Sequence, residues 1–260
     1  MKYYFYFFIS ASILMTSCID DDFGGDCIEG QGPITGRSYT VDEFSKLVGS
    51  FSADIQFTYD SVVSVTAFAQ ENILDRLSVA TVGGILEPRL VGDCFNNFSL
   101  TFEITGPDVS EFELLGSGDL TIMNGINIPS LSISSSGSGN VETRETLRTD
   151  ELNVSLVGSG GLSLNTVFDS GVLSLTGSGG IEVQGSCEEQ EVSLTGSGNY
   201  RAFGLSSNSC NISVAGSGSS EVFVNDDLNV SILGSGNVTY MGDPDIISEV
   251  IGSGRLINGN

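Results

Sequence analysis

The triplet Gly-Ser-Gly occurs eight times in this 260-residue chain, beginning at Gly116, Gly137, Gly158, Gly177, Gly196, Gly216, Gly234 and Gly252. The steps are 21, 21, 19, 19, 20, 18 and 18 residues. A period near twenty held over so many copies marks a repeat architecture. Each unit is then too small to bury its own apolar face and must stack on its neighbours.

Aligning the copies on the first glycine gives columns. Four residues before it stand Phe112, Ile133, Val154, Leu173, Val192, Ile212, Val230 and Ser248, and two before it Leu114, Ser135, Leu156, Leu175, Leu194, Val214, Ile232 and Val250. Between these mostly apolar columns runs a polar one: Glu113, Ser134, Ser155, Ser174, Ser193, Ser213, Ser231 and Glu249. Beyond the triplet the alternation resumes, with Leu120, Val141, Leu162, Ile181, Tyr200, Ser220, Val238 and Leu256 in the fourth position. Strict alternation predicts strands with one buried face. Even offsets point inward, so the serines at 155, 174, 193, 213 and 231 form an outward column. The same parity turns both triplet glycines inward, where no side chain fits or φ is positive, and the middle serine outward.

The pattern predicts an all-β fold: a right-handed parallel β-helix of 18–21 residues per coil, with two short strands and a more variable return segment in each. At a strand spacing of about 4.8 Å, eight coils rise on the order of 35–40 Å. The rival is an antiparallel meander or barrel in which each triplet is a hairpin turn. In-register columns of like residues favour parallel stacking.

Residues 37–115 lack the triplet until their end. Apolar alternation around Phe51, Ile55 and Phe57, β-rich runs at 62–69 and 98–104, a turn at Gly83-Gly84 and a helical turn or two from Glu71 make this an N-terminal β segment that starts the sheets and covers the first coil. The solenoid proper is expected over 116–260.

The N-terminus combines Lys2, an apolar run from Tyr3 to Met15 that is too short to span a bilayer, and small residues before Cys18. This reads as a signal peptide over 1–17 and a lipidated acidic tether over 18–36, with Cys18 acylated. Its order resembles the bacterial lipobox, and Asp20, Asp21 and Asp22 resemble the export signal of surface lipoproteins. The expected location is the outer membrane, facing the cell exterior, with the periplasmic face as the alternative. Four cysteines remain, Cys27, Cys94, Cys187 and Cys210, and an exported chain favours disulfides. They allow three pairings. The 23-residue step from Cys187 to Cys210 is close to one repeat and suggests neighbouring loops, leaving Cys27 with Cys94 by elimination.

With 33 acidic and 9 basic residues the formal charge is −24, which repels phosphate backbones and excludes nucleic acid as a partner. Histidine is absent and there is no CxxC, so no catalytic residue, metal site or cofactor is expected. The triplets do not complete a phosphate-binding loop, and the place where glycine-rich calcium solenoids carry Asp varies from Asp119 through Gly161 to Arg255. An isolated cation near Glu188, Glu189 and Glu191 or near Asp226 and Asp227 is a minor alternative. Asn153, Asn211 and Asn229 begin sequons that follow from the repeat, and Asp60-Ser61-Val62 resembles a bacterial O-glycosylation tripeptide.

Several stretches together resemble the head GIN domain family over about residues 37–260. They are Phe44, the QENI at 70–73, the GGIL at 83–86, the FEITGPDVSEFELLGSGDL running from Phe102 into the first triplet, and the serial SLTGSGN copies. The resemblance implies a right-handed β-helix-like fold, a cell-surface or periplasmic setting and a role as an adhesin head, common among Bacteroidetes lipoproteins. It supplies no catalytic residue. The expected function is a lipid-anchored, non-enzymatic envelope module that contacts glycan or another cell-surface ligand. A passive structural envelope protein is the alternative, and a polysaccharide-acting enzyme a distant second.

Overall fold

The computed structural model describes residues 27–92, 94–107 and 109–260. The expected signal peptide, Cys18 and the acidic stretch behind it lie outside the described residues.

Strands Glu111–Gly116, Asn127–Gly137, Leu147–Gly158, Gly161–Gly177, Gly180–Gly196, Asn199–Gly216, Ser219–Gly234 and Asp245–Gly252 end at successive triplets. Each pairs in parallel with the next, and the first glycines face one another from Gly116 to Gly252 without a slip. Parallel, in-register pairing rules out the meander and gives a β-solenoid of about eight turns. The apolar columns form its interior. Phe112, Leu156, Val183, Val222 and Val238 are each fully buried, so burial of alternate side chains drives the stacking.

The ladder reaches further round each coil than the alternation suggests. Between Gly161 and Gly234 the return segment is itself strand, and only the triplet corner interrupts it. Differences in coil length are absorbed by register shifts between Glu182 and Gly185 and between Ala202 and Ser206.

One more coil precedes the first triplet. Strand Lys46–Gly49 pairs in parallel with Glu111–Gly116, and strand Asp54–Tyr59 with Leu120–Ile122, both with the same offset. Phe51-Ser52-Ala53 therefore occupies the triplet's corner. Beneath this coil, Leu100–Gly106 pairs in parallel with Asp54–Tyr59 and antiparallel with Ser64–Gln70, which pairs antiparallel with Ile34–Tyr39. With helix Glu71–Leu74, these strands close the N-terminal end of the stack. Phe57, Tyr59 and Phe112 fill the coil interior edge-to-face, with Phe57 centroids 4.8 and 5.1 Å from the other two. A Cys27–Cys94 disulfide fastens the segment that leads into the cap.

The expected Cys187–Cys210 bond is absent. Both thiols are free and buried within strands rather than in loops. Cys187 lies opposite Ser207, while Cys210 lies opposite Gln190. The coil here repeats every 20 residues, so a 23-residue step leaves the cysteines three positions out of register.

At the other end the strand Asp245–Gly252, which leads into the eighth triplet, is exposed throughout, and among the described residues no coil stacks above it. Ile247 is 74% exposed and Ile251 57%.

Candidate functional site

The triplet corner has a specific hydrogen-bond reason. The carbonyl of Gly116 accepts the amides of both Ser138 and Gly139, at 3.0 and 3.2 Å. The same fork recurs up the stack, ending with Ser253 and Gly254 on Gly234. Two amides converging on one carbonyl bring adjacent corners close together. At Gly196, whose φ is +117°, an added Cβ would lie 2.5 Å from the Gly177 carbonyl oxygen. The first glycine's missing side chain thus points along the stack at the coil below. The second glycine is hemmed in both by the coil below and by the interior that the alternation predicts: a Cβ at Gly198 would lie 2.6 Å from the Gly179 carbonyl oxygen and from Leu175 Cδ2. Glycine is needed at both places because each faces a carbonyl of the coil below, and the second is pressed by the interior as well.

The serine between them is exposed, and it links coils sideways. Ser138 and Ser159 hydroxyls lie 3.4 Å apart, and Ser235 and Ser253 3.0 Å apart.

On the face that precedes the corner, the outward serine column is graded. Ser193, Ser213 and Ser231 are exposed, whereas Ser155 and Ser174 are half-buried. Ser174 donates its hydroxyl back to the Val154 carbonyl at 3.3 Å. Beside this column stands another, in which Asn229 Nδ2 donates to Asn211 Oδ1 at 2.8 Å. A groove of about 410 Å³ runs along the solenoid axis between the columns, lined by Asn211, Asn229, Ser193, Ser213 and Ser231, with exposed Ile247 continuing the asparagine column and Glu191 and Glu249 at the ends. Its amides and hydroxyls repeat at the strand spacing of about 4.8 Å. It can offer the same donors and acceptors to several units of a long ligand at once.

At the capped end the polar column is closed off. Lys46 Nζ pairs with both Glu111 and Glu113 at 2.7 Å, which offsets one of the two negative charges; Glu113 stands where the next coils carry serine. Asp119 is also occupied, since its Oδ1 accepts from the Asn140 amide and side chain at 2.8 and 2.9 Å. Glu188 accepts from Asn208 Nδ2 at 2.6 Å. Among the described residues no three acidic or sulfur ligands converge on a metal position. Asn153 and Asn211 point outward, and Ser61 sits exposed on a turn in which Asp60 Oδ1 accepts the Val62 amide at 3.1 Å.

The interior carries a polar network that alternation alone does not reveal. Tyr200 OH donates to Gln190 Oε1 at 2.6 Å, Gln190 Nε2 donates to Ser207 Oγ at 3.0 Å, and Ser207 donates to the Phe223 carbonyl at 2.9 Å. All three side chains are buried, so each bond removes a desolvation penalty. The only trace in the sequence is Gln190 at an inward position. Burial pushes the Cys187 thiol up to about 12, with Glu188 adding to the shift, and burial likewise raises Cys210 and Tyr200.

The sequence profile of the family described as "Putative auto-transporter adhesin, head GIN domain" matches residues 43–244. The fold is similar to solved structures of a "putative adhesin" from Parabacteroides distasonis ATCC 8503 (TM-score 0.86, 21% identity, 89% of this chain and 99% of that one) and a "putative adhesin" from Parabacteroides merdae ATCC 43184 (0.84, 22%, 90% and 100%). It is also similar to a "putative lipid binding protein" from Parabacteroides distasonis ATCC 8503 (0.79, 24%, 90% and 100%). No curated protein sequence matches significantly.

Proposed function

The chain belongs to the head GIN domain family, and from that premise we propose that it is a lipid-anchored adhesive module of the bacterial cell surface that binds glycan without catalysis. The observation that carries this reading is the groove between the serine and asparagine columns. A rigid ladder of hydroxyls and amides engages successive units of a repeating ligand, so contacts that are weak one by one add through effective concentration. The non-catalytic reading is supported by the lack of histidine in the whole sequence and by carboxylates such as Asp119 and Glu188 already engaged by amides. The Cys18 anchor and the acidic stretch behind it would present the solenoid outward.

The test is a glycan array probed with the full chain in detergent. Retention on polymeric glycans that falls in S193A/S213A/S231A supports the reading. No retention at high glycan density sinks it and favours a passive envelope role. Palmitate labelling in cells tests the anchor: labelling lost in C18A supports it, and unchanged labelling refutes it.

A further inference from the structure

Beyond the triplet, the first outward position of each coil carries Asp119, Asn140, Asn199, Ser219, Asn237 or Arg255, except in two adjacent coils, where it is Gly161 and Gly180. These two glycines stack directly on one another, with Asn199 next. Neither is required by the backbone. Their φ values lie outside the left-handed region, and a Cβ at Gly180 would find nothing nearer than Arg201 Nη1 at 3.8 Å. At Gly161 it would meet the movable tip of Asn140 at 3.0 Å and the Gly180 carbonyl at 3.9 Å. Unlike the corner glycines, they leave open space in the surface.

That space is a depression of about 360 Å³ on the face after the corner. Gly161 and Gly180 form its floor, Glu142 and Glu182 border one side, and Asn140 and Arg201 close its ends. Arg201 lies between Glu182 and Glu221 in the outward ladder, yet it makes no ion pair among the described residues. Its guanidinium reaches over Gly180 instead.

We infer that this depression seats one neutral sugar unit. The inference rests on the adhesive reading above and adds a second, separate site to it. The chemistry narrows the ligand by exclusion. An anion approaches against a molecular charge of −24, while the carboxylates of the depression are matched, Glu142 by Arg144 at 2.9 Å and Glu182 by Arg201 beside it in the ladder, so a cation finds no uncompensated charge there. A neutral polyol suits both: Glu142 Oε1 already accepts from Arg144 and Glu182 Oε1 from Gln184, and the sugar hydroxyls donate to the remaining lone pairs of these carboxylates and accept from Arg201 as charge-assisted hydrogen bonds and from the Asn140 amide. With side chains missing from the floor, a flat ring can lie against the Gly161 and Gly180 backbone. The expected affinity of a single unit is in the millimolar range, because the depression is shallow.

The test follows amide shifts of the ¹⁵N-labelled full chain in detergent during titration with methyl α-D-glucoside, methyl α-D-mannoside and methyl β-D-galactoside, and with glucuronate and glucosamine as charged counterparts. Saturable shifts at Gly161, Gly180 and Arg201 are expected with at least one neutral glycoside. They should weaken about tenfold or more in G180N and in R201Q, with thermal midpoints unchanged. Absence of shifts with every glycoside overturns the inference, as does an undiminished response in folded G180N. Array binding that persists in G180N, with shifts confined to Ser193, Ser213 and Ser231, overturns this site and leaves the groove reading intact. Shifts at the depression with no array retention support this site and sink the groove reading.

Discussion

Ser117 donates its hydroxyl to Ser52 Oγ at 3.1 Å across 65 residues of sequence. The contact is the serine column of the triplets continued by one further coil, in which Phe51-Ser52-Ala53 takes the place of Gly-Ser-Gly. Alanine is tolerated there because no coil of the same corner lies beneath it. Gly118 above has no such freedom: a Cβ at that position would overlap the Ala53 carbonyl. This degenerate coil is what the eight triplets stand on. A chain that begins at Ser110 exposes Phe112, Leu114, Leu120 and Ile122, which are buried in the full chain. Such a truncation should aggregate or lose its β signal by circular dichroism and size-exclusion chromatography, despite retaining every triplet. A soluble, monomeric, folded fragment would show that the cap is dispensable.

The two kinds of glycine should respond oppositely to a methyl group. Gly196→Ala places a Cβ 2.5 Å from the Gly177 carbonyl at a φ of +117°. A left-handed alanine costs about 1–3 kcal/mol and overpacking about 1–3 more, so a loss of about 2–6 kcal/mol is expected. Gly180→Ala meets open space and should change stability by less than about 0.5 kcal/mol. Urea denaturation of both variants checks the contrast, and equal losses would contradict the forked-carbonyl explanation.

The Cys27–Cys94 bond spans 67 residues of sequence, so in the chain-entropy account it restricts the unfolded state strongly. C27A/C94A should lose about 4 kcal/mol, and a reducing agent should lower the wild-type midpoint to match. Reduction should leave the midpoint of that variant unmoved, because Cys187 and Cys210 are already thiols.

The buried network predicts a non-additive pair. Tyr200→Phe removes the donor to Gln190 Oε1 and should cost about 1–3 kcal/mol. Replacing Gln190 by Met alone strands the Tyr200 hydroxyl. The double variant should cost less than the sum of the two, and strict additivity would show that the bond contributes little.

Alkaline pH should weaken the fold through the same region. Burial raises Cys187 to about 12 and shifts Cys210 and Tyr200 upward, above their values in an unfolded chain. A raised acid favours its neutral form when folded. That contribution is complete below about pH 8.5, where an unfolded thiol begins to ionise, and is lost as pH rises toward 12. Thermal midpoints measured from neutral to strongly alkaline pH should fall more gently in C187A/C210A than in wild type. Ellman's reagent should find neither thiol until the protein is unfolded.

The sequence alone determined the solenoid, because burial of one strand face imposes a period of two and stacking of equal coils imposes the longer period of the triplets. Val192 and Leu194 inside with Ser193 outside follow from that parity, and the structure places them so. It also determined that glycine is obligatory at the corner, but the neighbour that forbids a side chain at Gly196 is the Gly177 carbonyl one coil below, which no pattern within a coil can identify. The tertiary structure decided the rest. Phe51-Ser52-Ala53 became a corner only by stacking under Gly116-Ser117-Gly118, since nothing in its composition marks it. Cys187 and Cys210 stayed apart because local coil length sets which residues face each other, and three residues of mismatch separate them. Gly161 and Gly180, indistinguishable in sequence from the corner glycines beside them, were set apart by backbone angles and empty surroundings, which only the packed coils define.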